Sequence, residues 1–171
     1  MRSDILKKYV LPTVLLAAVI WIIYRWLGGG ADQSFSIVEQ KPLQLRGYMY
    51  KGRPASDELE SYFFELRDLS SFDDGNYLTL VSFGSENTVD TLRQFIGTQN
   101  TDVPDRLSSY EIPGGKYVRV VLDMHSLVRP SPGQIREEAE EFAQNQDARL
   151  GDWNLEIFTG EEELTVLFPV I

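Results

Sequence analysis

The sequence predicts an α+β domain made of a duplicated strand–helix–strand–strand unit. It has an antiparallel sheet with two helices on one face, and one transmembrane helix precedes it. Three observations lead there. A strand-like run, a helical run and two further strand-like runs occur between Pro42 and Thr101, and the same order returns between Tyr110 and Ile171. Apolar residues in both stretches recur with period two or with helical spacing. The N-terminal segment, by contrast, is apolar without interruption.

That segment is Tyr9 to Leu27, YVLPTVLLAAVIWIIYRWL, in which only Arg25 is charged. As a helix it would span roughly 28 Å, close to the hydrocarbon thickness of a bilayer. Trp21, Tyr24 and Trp26 stand at its far end, where amphipathic rings favour the interface. A cleaved signal peptide competes with this reading, but the run is long for one and no small-x-small pattern follows at Gly28 to Gln33. A buried core helix would need neighbours on every side in so short a chain, since the run has no polar face. Arg2, Lys7 and Lys8 precede the span and Arg25 ends it, which places the N-terminus in the cytoplasm and the domain in the periplasm or a lumen. The expected organisation is an anchor over residues 1–27, a linker over 28–33 and a domain over 34–171.

Within the domain, Phe35 to Glu39 alternates as a strand, and Pro42 breaks it from the next. Leu43, Leu45, Gly47 and Met49 then share one face, and Gln44, Arg46, Tyr48 and Tyr50 the other. Ser56 is placed to cap a helix whose stripe is Leu59, Tyr62, Phe63, Leu66 and Leu69, with Asp57 and Glu58 in the dipole-favoured first turn. Tyr77 to Phe83 and Leu92 to Gly97 return to the sheet, and residues 98–109 read as the connector between halves. In the second half, Val118, Val120 and Leu122 alternate with Tyr117, Arg119 and Val121. Ser131 and Pro132 then open a helix with Ile135, Ala139, Phe142 and Ala143 inward. NLEIF (Asn154 to Phe158) and LTVLFPVI (Leu164 to Ile171) complete the unit.

The 171 residues carry a formal charge of −10. Residues 1–27 hold four basic groups and one acidic, so the remainder carries −13. Such a surface repels phosphate backbones, and no nucleic-acid partner is expected. There is no cysteine and one histidine, His125, so disulfides, thiolate nucleophiles and Cys or His metal sites are excluded. No cofactor or catalytic residue is indicated.

The candidate site is a ligand pocket. With Leu155 and Ile157 facing the helices, Glu156 would lie with Asn154 and Phe158 on the opposite, groove-forming face. An acid partly desolvated among aromatics attracts cationic or polarised ligands. Tyr48, Tyr50 and Tyr117, read in a common register, would wall the groove, with Phe158 and Trp153 beside the acid. Arg46 and Arg119 are the cations positioned to neutralise Glu156.

Leu43 to Gly52, GSENTVDTLRQFIG, YEIPGGKYVRVVL, NLEIF and LTVLFPVI together resemble the GyrI-like small-molecule-binding domain, also found as the effector-binding domain of AraC-type and MerR-type regulators. The most specific piece is Ile112 to Tyr117, IPGGKY, similar to the family's "iPaGkYa". The resemblance implies a central groove for drug-like or amphipathic molecules, with the acid of the family's "fEiY" motif matched by Glu156. Phe158 stands where that motif carries tyrosine. A regulator would also need a DNA-binding segment, and the sequence offers none outside the domain and its anchor. The expected function is therefore a membrane-anchored domain binding a small amphipathic or cationic molecule. The alternatives are a protein-interaction module with a closed groove, or a small-molecule hydrolase using Glu156.

Overall fold

The computed structural model describes residues 10–30, 33–71, 74–84, 91–100, 102–160 and 162–171. Outside these lie Tyr9 at the start of the expected span, residues 31–32 of the linker, residues 72–73 of the loop after the first helix, the GSENTVD loop beyond Gly84, and Thr101.

Helix α1 runs Leu11–Trp26, 16 residues or about 24 Å. Its apolar side chains stand exposed all round, from 38% at Tyr24 to 83% at Trp26. Among the described residues no helix is long and apolar enough to cross a membrane. The helix ends in a left-handed glycine turn, with φ of 84° at Gly28 and 77° at Gly30. Arg25 Nη1 donates to the Gly29 carbonyl at 3.3 Å, and the Leu27 carbonyl accepts from the His125 amide at 3.1 Å. The segment expected as a flexible tether, residues 28–33, thus begins as a cap on α1, and the residue before it is bonded to the domain.

The domain contains β1 (Ser34–Gln40), β2 (Leu43–Gly52), α2 (Asp57–Leu69), β3 (Leu78–Phe83) and β4 (Leu92–Thr98). A second set follows: β5 (Ser108–Ile112), β6 (Gly115–Asp123), a 3-10 turn (Ser126–Val128), α3 (Pro132–Gln144), β7 (Trp153–Phe158) and β8 (Glu163–Pro169). The eight strands form one sheet in the order β1-β6-β8-β7-β3-β4-β2-β5, antiparallel throughout. The expected strand–helix–strand–strand duplication is present, and each unit has one more strand at its start. β5 straddles an expected boundary: Ser108 and Ser109 end the expected connector, and Tyr110 to Ile112 lie in the stretch expected to open the second half. Its sequence, SSYEI, is too short and polar to announce a strand, and it is held by pairing with β2.

The leading strands are exchanged between the units. β1 pairs with β6 of the second unit, and β5 pairs with β2 of the first. The two chain reversals that make this exchange meet at Pro42 and Gly114: a Cβ on Gly114 would lie 2.7 Å from Pro42 Cδ. Only glycine leaves room for the proline ring there.

Both helices are set by the residues expected. The Ser56 hydroxyl accepts from the Leu59 amide at 3.2 Å, and the Tyr50 hydroxyl lies 2.6 Å from it. Ser131 and Gln134 form a reciprocal capping box at α3, with Pro132 in its first turn. α2 buries Leu66 against Leu78, Leu80 and Ile96, and α3 buries Ile135, Ala139 and Ala143 against Val118, Val120, Leu122 and Val166.

The opposite face is just as dry without any helix. Leu45, Val81, Phe95, Ile112, Tyr117, Leu155 and Leu167 lie there, each at most 2% exposed. The sheet covers this face by curling. Phe83 on β3 and Tyr110 on β5 are three strands apart, roughly 14 Å if flat, yet their rings lie 5.9 Å centroid to centroid. The face expected to form an open groove is therefore closed by its own side chains.

Gly114→Ala tests the strand exchange. The added methyl has to displace a rigid ring, and overpacking of this kind costs about 1–3 kcal/mol. Chemical denaturation should show that loss for Gly114→Ala and almost none for Gly133→Ala, where a Cβ would meet nothing within 4 Å.

Candidate functional site

The strand pairings relate the two units by a pseudo-two-fold axis. Gln40 opposite Gly115 matches Ile112 opposite Leu43, so Gly115 is the counterpart of Leu43. Carrying the match through β4 and β8 makes Asn154 the counterpart of Leu78 and Glu156 the counterpart of Leu80. Leu80 and Glu156 are also directly paired across the β3–β7 seam. The axis passes between them, and Glu156 sits at the centre of the sheet.

Leu155 and Ile157 point into the curled face, among Val81, Phe95 and Tyr117. Asn154, Glu156 and Phe158 consequently lie on the helix side, which reverses the expected facing of β7. The reason is physical: the sheet closes one face on itself without a helix, and Leu155 and Ile157 fill that closed face while the cavity lies on the other.

On the helix side a cavity of about 850 Å³ opens between α3 and the sheet. Glu156 and Asn154 form its floor with Phe158, while Val166 and Phe168 of β8 and Ile135 of α3 make apolar walls. Its rim is the strap from Ser126 to Gly133, including Arg129 and the first turn of α3. The volume and mostly apolar lining suit a small organic ligand.

Asn154 Nδ2 donates to Glu156 Oε1 at 3.1 Å. Burial pushes the Glu156 carboxyl above its ordinary value, while the Asn154 hydrogen bond and the Arg129 charge pull in the opposite direction without overcoming it. The side chain is partly reachable through the cavity mouth, but protein surrounds it on the other sides. Arg129 Nη2 donates to the carbonyls of Met124 at 3.2 Å and Glu162 at 3.0 Å, and its Nε is buried without a partner. Burial lowers the guanidinium pKa, with Glu156 opposing. The two charges influence each other, and among the described residues they form no direct ion pair. Arg136, also at the cavity, is engaged by Glu140 at 2.9 Å and by the Gly151 carbonyl at 2.8 Å.

Of the residues expected at the site, Glu156 and Phe158 are brought together. Trp153 lies on the curled face, edge-on to Tyr117 at 6.0 Å. Tyr117 is 2% exposed and donates to the Pro113 carbonyl at 2.6 Å. Tyr48 stacks on Tyr62 at 4.2 Å and donates to Glu65, and Tyr50 donates to the Arg53 carbonyl at 2.7 Å beside the α2 cap. The common register assumed for the tyrosines does not hold: Tyr117 is the counterpart of Leu45, while Tyr48 and Tyr50 are counterparts of Val120 and Leu122. Arg46 lies on β2, separated from β7 by two strands, and Arg119 is exposed on the side of β6 away from Val118 and Val120. Arg129 is the cation that acts on Glu156 instead. His125 serves its own turn, Nδ1 accepting from the Leu127 amide at 3.2 Å. No group of acidic and histidine residues among those described could hold a metal ion.

No family model matches the sequence, and no curated protein does either. Solved structures do match. The C-terminal domain of EcmrR superposes with a TM-score of 0.55 at 10% identity, over 81% of this chain and 98% of that domain. EcmrR in its complex with DNA gives 0.61 at 11% identity, over 99% of this chain and 69% of that one. A hydrolase from Listeria innocua gives 0.57 at 12% identity, over 81% and 92%. At these identities the likeness is one of fold. The chain has the α+β architecture of the EcmrR C-terminal domain, in keeping with the GyrI-like fold expected from its motifs.

The raised Glu156 pKa predicts an unusual pH dependence. The folded state holds the proton to higher pH than the unfolded chain, so this group's contribution lowers stability as pH rises from the ordinary carboxylate range through the folded pKa. Glu156→Gln removes that slope. Thermal melts between pH 4 and pH 8 should show the variant gaining on the parent as pH rises, with the two converging at the acid end.

Proposed function

We propose that the chain is a small-molecule-binding domain held at a membrane by α1. Its ligand is amphipathic, presenting a cationic or hydrogen-bond-donating group to Glu156 and an apolar body to Phe158, Val166 and Phe168. The observation that carries this reading is the acid itself, desolvated at the floor of an apolar cavity of about 850 Å³. A carboxylate in that setting lacks the water that normally stabilises it, and a bound cation supplies the missing charge. The resemblance of the NLEIF segment to the effector-binding family supports the same choice of residue.

The exposed apolar surface of α1 supports the membrane component. Its length falls short of a ~30 Å hydrocarbon core, a mismatch that local thinning of the lipid accommodates. The basic residues at positions 2, 7 and 8 favour a cytoplasmic N-terminus, which puts the domain on the periplasmic or lumenal side.

A second reading, hydrolysis, draws on one observation: the Asn154 amide is within hydrogen-bond reach of Glu156, as an acid that positions a substrate polar group would require.

Differential scanning fluorimetry of the full chain in detergent, against a panel of cationic and neutral amphiphiles, tests the binding reading. A ligand at a hundred times its dissociation constant stabilises the fold by about 2.7 kcal/mol. The stabilisation should vanish in Glu156→Gln and persist in Tyr48→Phe and Tyr117→Phe, whose hydroxyls point away from the cavity. Loss in the tyrosine variants with retention in Glu156→Gln would place the ligand elsewhere. Product formation from a bound ester or epoxide, abolished in Glu156→Gln, would favour the hydrolytic reading.

A further inference from the structure

The strap between β6 and α3 has two neighbours. On one side its Ser126 and Arg129 form part of the cavity rim. On the other its His125 amide donates to the Leu27 carbonyl at 3.1 Å, one residue beyond the last turn of α1. A Cβ on Gly28 would lie 3.1 Å from Met124 Cβ, so the backbones are in close contact at this point as well. The end of the apolar helix and the mouth of the cavity are thus one residue apart along the strap.

Leu127 occupies the apex of the 3-10 turn between these two contacts. It is 80% exposed, while Met124 beside it is buried. A single exposed leucine is ordinary on a protein surface, and what marks this one is its place two residues along the strap from the bond to Leu27. The helix that ends at that bond is α1, whose apolar surface includes Trp26, 83% exposed, and Ile23, 50% exposed.

We infer that the His125–Arg129 turn is a lipid-contacting surface, with Leu127 inserted at headgroup depth, so that the cavity opens at the membrane interface rather than into bulk solvent. This rests on the reading that α1 enters the lipid. A helix whose aromatic end lies at the interface carries the residue bonded to that end to the same level. Leu127 then adds a second apolar contact, and the two together fix the orientation of the domain on the membrane. Ligands that partition into the interface reach Glu156 laterally, past Ser126 and Arg129.

The absence of cysteine makes a direct test available. Three single-cysteine variants of the full chain, Leu127→Cys, Ile22→Cys and Ser109→Cys, are labelled with an environment-sensitive dye and reconstituted in phosphatidylcholine vesicles. Spin-labelled lipids quench by depth. Ile22 reports on α1, and Ser109 on the exposed edge strand β5, six strands from β6. The expected result is deep quenching at 22, quenching at 127 by headgroup-labelled lipid at least threefold above that at 109, and little at 109. Quenching at 22 with equal, weak quenching at 127 and 109 overturns the inference and leaves the anchor standing. No quenching at 22 removes both. A dye at 127 that is shielded from lipid but responds to protein dilution identifies a second copy of the chain as the covering, and likewise overturns the inference.

Discussion

The molecule depends on the seam between β3 and β7. Six residue pairs, from Leu78 with Phe158 to Phe83 with Trp153, are all that join the two helix-bearing halves of the sheet at its centre. Each half alone would leave a strand edge unpaired in its middle, an invitation to pair with another chain. The exchange of β1 and β5 secures the seam from outside, because each half's outermost strand belongs to the other half's sequence. Curling then buries the face that no helix covers, and the two helices are left side by side on the convex side.

The halves share a plan but not a filling. Around α2, Tyr48, Tyr62 and Phe63 pack the space over the sheet, and Phe63 reaches across to meet Phe158 edge-on at 6.1 Å. Around α3, the counterparts of Tyr48 and Tyr50 are Val120 and Leu122, and the strap holds the start of the helix away from β7 and β8. Val120 and Leu122 are fully buried under α3, and the cavity lies instead between the first turn of α3 and strands β7 and β8. Arg129 lies there with its Nη2 spent on backbone carbonyls, a fixed positive charge near a reluctant negative one.

Much of this fold was legible in the chain. Helical stripes such as Leu59–Tyr62–Phe63–Leu66 and the Ser56 and Ser131 caps are local signals, and local signals survive into the structure. The duplication showed as a repeated order of elements. What was not legible depends on facts that sequence does not store locally. Alternation sorts Leu155 and Ile157 from Glu156 and Phe158, but it does not say which side the helix covers when both sides are dry. The tyrosines misled for a related reason: β2 and β6 both mix aromatic and aliphatic residues, and the offset between them becomes fixed only by the exchanged strands. Arg129 lies far along the chain from Glu156 and has no motif around it. The folding of the strap from β6 into α3 is what brings it to the cavity. Glu156 is the one acid in WNLEIF, and alternation separates it from Leu155 and Ile157 whichever face the helix covers.

The position of Glu156 on the pseudo-two-fold axis sets a limit on what duplication can produce. A feature away from the axis is copied into two places, but a feature on the axis meets its own copy. Had both halves kept an acid there, residues 80 and 156 would face each other as a directly opposed pair, about 5 Å apart at Cα, and two carboxylates that close cannot both stay ionised. Leu80 opposite Glu156 resolves the conflict in favour of a single charge. The repeat therefore doubles the scaffold without doubling the acid, and a single carboxylate stands at the seam where the two halves meet.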